Sequence, residues 1–144
     1  MYRKWFLLAG VVDLFILSIL DKIAFHYYLY WRYPLFDVLM HLIGGVAIGL
    51  VSAFVFLELQ REKISDQVSK AEESEISLKL FYLLNLIFIV SIGIGWEFFE
   101  IWADRIVQFD PVNILQDISV GIVGSLSAGL IVLWIHNYNL RRLK

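Results

Sequence analysis

Five of the ionisable side chains inside the apolar stretches of this 144-residue chain have types and spacings that could do chemistry together. Asp37 and His41 are four residues apart and Glu97 and Glu100 are three apart, so each pair lies on one face of a helix. Asp117 is in a third apolar stretch. One imidazole with several carboxylates is a hard, oxygen-rich ligand set that suits Mn, Fe, Ca or Mg, and also admits Zn. The five residues therefore predict a divalent-metal site.

The same residues fit other functions. With an open coordination position, a metal activates water or polarises a phosphoryl oxygen. In that case Glu97 or Glu100 is the candidate general base, and His41 is a ligand or a proton shuttle. Intramembrane acids and histidines also mark proton or cation paths, so a transporter or conduit is an alternative. A third hypothesis is that the five residues form a structural polar network in a non-enzymatic scaffold. Whether the protein is an enzyme stays open.

Four apolar segments must position these residues. The chain is 60% hydrophobic and only 18% charged, whereas an ordinary soluble domain carries about a quarter charged residues. Its apolar residues form runs close to the roughly 20 residues that cross a bilayer core. The predicted membrane spans are 5–27, 34–59, 78–103 and 112–135. The predicted charged cytoplasmic loop is 60–77. We predict one membrane domain over 1–144, an all-α integral membrane protein folded as a four-transmembrane-helix bundle.

The distribution of Lys and Arg predicts the orientation of the bundle. Three of these residues fall on one side of the membrane: Lys22, Arg32 and Arg105. Nine fall on the other side: Arg3, Lys4, Arg61, Lys63, Lys70, Lys79, Arg141, Arg142 and Lys144. This excess places both termini in the cytoplasm, an N-in, C-in topology.

In this orientation the five site residues reach one depth. Asp37 lies one turn and His41 two turns inside the membrane, and Asp117 lies about 9 Å in at ~1.5 Å per residue. Glu97 and Glu100 reach the same outer-leaflet depth from the third span. A bound metal would neutralise these charges near the external face. Membrane lipids surround this depth, so a lipid or lipid-linked headgroup is the predicted substrate.

Small residues predict how the helices carrying the site approach each other. Gly45 and Gly49 in the second span, with Gly121 and Gly124 in the fourth, allow close backbone contact. The last two follow Asp117 at i+4 and i+7, so we expect Asp117 to point into the bundle.

Few polar side chains remain in the inner half of the spans. We expect Asp13 to bond to Asn85 or to a serine at similar depth, and Asp104 to pair with Arg105 at the outer surface. Tyr30 and Trp96 are assigned to an aromatic belt at that surface.

Four helices enclose little space, which leaves a homo-oligomer open. The chain has no cysteine and no basic surface for nucleic acid.

Three segments in order, FDVLMHLIGG, GWEFFEIW and NILQDISVGIVGSLSAG, resemble a family of small bacterial and archaeal inner-membrane proteins, the YjdF-like (DUF2238) family. They are also similar, more faintly, to VanZ-like membrane proteins. The resemblance implies an inner-membrane location and covers about two-thirds of the chain. It also implies that the site residues matter, without naming their chemistry: Asp37, His41, Glu97, Glu100 and Asp117.

Overall fold

The computed structural model describes residues 3–63, 70–102 and 111–142, and all regular structure within these ranges is helical. The helices are α1 (Arg3–His26), α2 (Leu29–Arg32), α3 (Pro34–Lys63), α4 (Lys70–Trp102) and α5 (Pro111–Arg142). The all-α prediction is therefore confirmed for these ranges. The predicted pair of Asp104 and Arg105 lies outside them.

Proline begins two of the helices. Pro34 opens α3 and Pro111 opens α5, at the position where the missing N–H has no intrahelical partner to lose. Tyr33 is extended (φ −134°, ψ 94°), as the residue before proline must be. Tyr28 has a left-handed backbone (φ 57°) and separates α1 from the single turn of α2. The chain thus reverses direction between α1 and α3 within a few residues.

Three of the described helices contain segments long and apolar enough to cross a membrane. These segments are Leu35–Gln60, Leu78–Trp102 and Val112–Tyr138, with 26, 25 and 27 residues. The helix α1 has 24 residues, but every 18-residue stretch of it contains at least three charged side chains, drawn from Arg3, Lys4, Asp13, Asp21 and Lys22. A fourth crossing by α1 therefore stays a prediction.

Two helices extend past the predicted spans into the charged segment between them. The helix α3 continues to Lys63 and α4 starts at Lys70, so the described parts of 60–77 are helical. Glu, Lys and Arg are good helix formers, and a helix leaving the bilayer can continue into water.

The helix α3 is the central element of the bundle. It packs against α1, α4 and α5, and α4 also packs against α5. Phe56 and Phe81 meet edge to face, with ring centroids 5.3 Å apart. They belong to a buried apolar cluster that joins α3, α4 and α5 in the half of the bundle away from Pro34: Ala53, Phe56, Leu57, Phe81, Val132 and Leu133.

The closest approach in the bundle is between α3 and α5. A Cβ added to Gly45 would overlap the backbone carbonyl of Gly121, and one added to Gly49 would overlap that of Ser125. Gly124 meets the α3 backbone in the same way. The predicted role of the glycines is confirmed, and the contact holds the N-terminal half of α5 against that of α3.

Candidate metal centre

Asp37, His41 and Asp117 form a compact group between α3 and α5. The Nε2 atom of His41 lies 3.5 Å from Oδ1 of Asp37, one helical turn earlier. The same Nε2 atom lies 3.8 Å from Oδ2 of Asp117. One ligand atom from each residue falls within 4.8 Å of the others. We call these three residues the triad.

The distances from His41 to the two carboxylates are long for direct hydrogen bonds and are compatible with three groups that share a cation. Both N···O separations exceed the 2.7–3.2 Å typical of N–H···O hydrogen bonds. Ligands of one ion are bound at roughly 2.0–2.2 Å each, so a nitrogen and an oxygen in the same coordination sphere lie up to ~4.2 Å apart. Both separations are within this limit.

Asp117 carries the clearest chemical signal in the triad. Its side chain is 3% exposed, so the prediction that it points into the bundle is confirmed. Its second oxygen, Oδ1, is buried and has no hydrogen-bond partner in the structure. Leaving a buried polar atom unpaired costs about 1–3 kcal/mol, and more when the group is charged. This oxygen is therefore free to bind a cation or a proton.

Glu97 and Glu100 lie beside the triad but are not part of it. Glu97 is 6% exposed, although it comes from the weakly packed helix α4. Both carboxylates are near enough to Asp37 and His41 for electrostatic interaction. The structure thus brings all five predicted residues into one region and places only three of them within ligand distance.

Two aromatic residues that the sequence assigned to the surface belt belong to this region. The Tyr30 hydroxyl donates a 3.0 Å hydrogen bond to Oδ1 of Asp21, which is 9% exposed. Burial, and then the Asp21 carboxylate, raise the pKa of Tyr30 above its ordinary value, so it stays a donor. Trp96 lines the same cavity as Asp21 and Tyr30. The sequence feature that could have indicated this inward position is Asp21, a carboxylate at the outer end of α1 that needs a hydrogen-bond donor nearby.

The inner half of the bundle contains a separate, fully paired polar group. The amide of Asn85 donates a 2.8 Å bond to Oγ of Ser52 and accepts a 2.9 Å bond from Oγ of Ser125. All three residues are at most 1% exposed.

The prediction that Asp13 bonds to Asn85 or to a serine is wrong for the Oδ2 atom of Asp13. This atom is buried and has no hydrogen-bond partner in the structure.

The fold, together with the triad and the two glutamates beside it, defines a helical integral membrane protein with a buried group of acids and one histidine. A family model described as "Predicted membrane protein (DUF2238)" matches residues 2–138. The chain belongs to this family, as the resemblance of its three segments indicated. The comparisons do not show the fainter VanZ-like similarity. Nothing among the curated proteins or the solved structures matches the chain.

Proposed function

We propose that this protein holds one divalent metal ion at the triad, in the outer leaflet of the cytoplasmic membrane. The observation that carries the proposal is the triad itself. Three ligand atoms from two helices lie within 4.8 Å of one another, and the most buried carboxylate keeps one oxygen unpaired.

The ligand chemistry narrows the choice of ion. One imidazole and two carboxylates supply one nitrogen and up to four oxygens. Hard divalent ions such as Mn, Fe, Mg and Ca prefer such oxygen-rich sites, and Zn is bound by the same groups. Glu97 and Glu100 lie outside ligand distance but interact electrostatically with Asp37 and His41, so they would contribute to the sphere through water.

The proposed topology has four crossings with both termini in the cytoplasm. Nine of the twelve Lys and Arg residues then lie on the cytoplasmic side. The helix α1 would be the fourth crossing. Its Asp21 lines the same cavity as Asp37 and Asp117, so α1 reaches the depth of the site.

The chemistry we propose is metal-dependent reaction of a lipid or lipid-linked headgroup. A bound divalent ion would polarise a phosphoryl oxygen or a water molecule. Glu97, buried beside the triad, would be the general base. His41 would be a ligand, or a proton shuttle if the ion is held by the carboxylates.

Elemental analysis of the purified protein tests the metal site. We expect one ion per chain in the wild type after incubation with Mn²⁺ or Zn²⁺, and loss of that ion in His41→Ala. His26 is exposed and outside the triad, so His26→Ala is the matched control and should keep the metal. No metal above background in the wild type after incubation would reject the proposal.

A cation conduit is the second candidate, supported by the acids at membrane depth. The fully paired Asn85 group and the aromatic cluster around Phe56 and Phe81 argue against it, because they fill the inner half between α3, α4 and α5. Cation flux in proteoliposomes is the test. Flux that is abolished by Asp37→Asn and Glu97→Gln would favour the conduit.

A structural scaffold is the third candidate. A purely structural network should pair its buried members, as Asn85 does with Ser52 and Ser125. The unpaired Oδ1 of Asp117 argues against this function for the triad.

A further inference from the structure

A cavity of about 430 Å³ lies next to the triad, between α1 and α4. The helix α3 forms its back wall, because α1 and α4 each pack on α3, whereas no extensive packing joins α1 to α4 in the described chain. Leu14 of α1 and Ile92 of α4 both line the cavity, and they are 44% and 48% exposed. The cavity therefore opens sideways between these two helices. We call it the α1–α4 cleft.

The cleft is polar at one end only. Asp21, Tyr30 and the triad line its outer end, and apolar side chains such as Leu17, Ile48 and Val51 line the rest. The length of the cleft can be measured along α3, from the residues of this helix that line it. His41 and Val51 are ten residues apart, which is ~15 Å along a helix. This is about half of the ~30 Å hydrocarbon core, so the cleft is about as long as one leaflet is thick.

The size of the cleft restricts what can occupy it. The cleft has a volume of about 430 Å³. Pockets that hold small ligands have volumes of about 300–1,000 Å³. A single flexible hydrocarbon chain of one-leaflet length matches the volume, the length and the apolar wall.

We infer that the α1–α4 cleft binds one acyl chain of a membrane phospholipid and so directs the phosphate of that lipid to the triad. The contact of the phosphate with the ion rests on the proposed function, whereas the binding of the chain rests on the cleft alone. The substrate class is then an acyl lipid that enters sideways from the outer leaflet. A water-soluble phosphate compound lacks the part that the cleft recognises.

Two pairs of substitutions test the cleft. Leu14→Trp and Ile92→Trp place a bulky ring at its opening. Leu8→Trp and Ile94→Trp are the matched controls, since Leu8 and Ile94 are similarly exposed (50% and 44%) on the same helices but do not line the cleft. Each protein is reconstituted in vesicles containing phosphatidic acid with a diazirine midway along one acyl chain. After photolysis, the labelled residues are mapped by mass spectrometry, and metal content is measured on the same samples.

We expect the wild type and both controls to be labelled at Leu17, Ile48 or Val51. Labelling there should fall at least about tenfold in Leu14→Trp and Ile92→Trp, a loss of about 1.4 kcal/mol of binding, with metal content unchanged. Equal labelling in all five proteins, or labels confined to outward residues such as Phe15, would overturn the inference. Cleft labelling without any bound metal would support the cleft and reject the metal site, so the two failures are distinguishable.

Discussion

The Nε2 atom of His41 faces two carboxylates at once, and this geometry is the centre of the proposal. One N–H can donate a good hydrogen bond in only one direction, and neither oxygen is within the usual distance. A cation between the three groups would satisfy all of them. It would also offset the repulsion between Asp37 and Asp117, which is strong where water is scarce.

Replacing Asp117 by Asn should remove the stabilisation that a bound metal gives to the fold. The amide keeps the size of the side chain but removes the buried negative charge. In the wild type, a metal at ~100 times its dissociation constant should stabilise the fold by about 2.7 kcal/mol. We expect Mn²⁺ to raise the melting temperature of the detergent-solubilised wild type and to leave that of Asp117→Asn nearly unchanged. An equal rise in both proteins would contradict a ligand role for Asp117.

The hydrogen bond from Tyr30 to Asp21 should contribute to stability by itself. Removing a hydrogen bond to a charged acceptor costs about 1.5–3 kcal/mol, so Tyr30→Phe should lower the free energy of unfolding by about that amount. Tyr33 is 57% exposed, and Tyr33→Phe is the control, with no expected change. Denaturation of both variants in mixed micelles measures the difference. Equal stability of the two would show that the bond contributes nothing.

At the scale of the helix, the close contact of α3 and α5 sets the distance between His41 and Asp117. Gly45→Ala would drive a Cβ into the carbonyl of Gly121 and push the two helices apart. We expect a loss of about 1–3 kcal/mol of stability, as for other overpacked sites, together with weaker metal binding. Thermal unfolding with and without Mn²⁺ measures both effects.

Gly95 provides the control for this substitution. An added Cβ there meets nothing within 4 Å, so Gly95→Ala should change stability by less than about 1 kcal/mol, with any change favourable because alanine is the better helix former. If Gly45→Ala behaved like Gly95→Ala, the glycine contact would not be what positions the triad.

The helices and the convergence of the site residues on one region could be predicted from the sequence, because the rise per residue is fixed and prolines and charges mark the ends of the apolar runs. Asp117 could be assigned to the interior because Gly121 and Gly124 lie on its face. The division of the five residues into a triad and two neighbours could not be predicted. It depends on the rotation and crossing angle of α4 relative to α3, which spacing along one helix does not determine.

Tyr30 and Trp96 show a second limit of the sequence. Aromatic residues near a membrane surface fit an interfacial belt equally well whether they face outward or inward. Only the packing of α2 and α4 against α3 distinguishes the two orientations, and that packing joins residues from different segments of the chain.

At the scale of the whole molecule, the proposed topology places the triad near the external face. The chain has no cysteine, so a single introduced cysteine reports its own side of the membrane. Tyr33 and Asn137 are exposed at opposite ends of the bundle. We expect a membrane-impermeant maleimide to label Tyr33→Cys in intact cells and Asn137→Cys only after permeabilisation. The reverse pattern would place the triad on the cytoplasmic side.

Anomalous diffraction from crystals of the wild type grown with Mn²⁺ is the most direct test of the metal centre. We predict one strong anomalous peak between α3 and α5, about 2.0–2.3 Å from Nε2 of His41 and from a carboxylate oxygen of both Asp37 and Asp117. A structure in which the three side chains bond directly to each other or to water, with no anomalous peak among them, would contradict the proposed function.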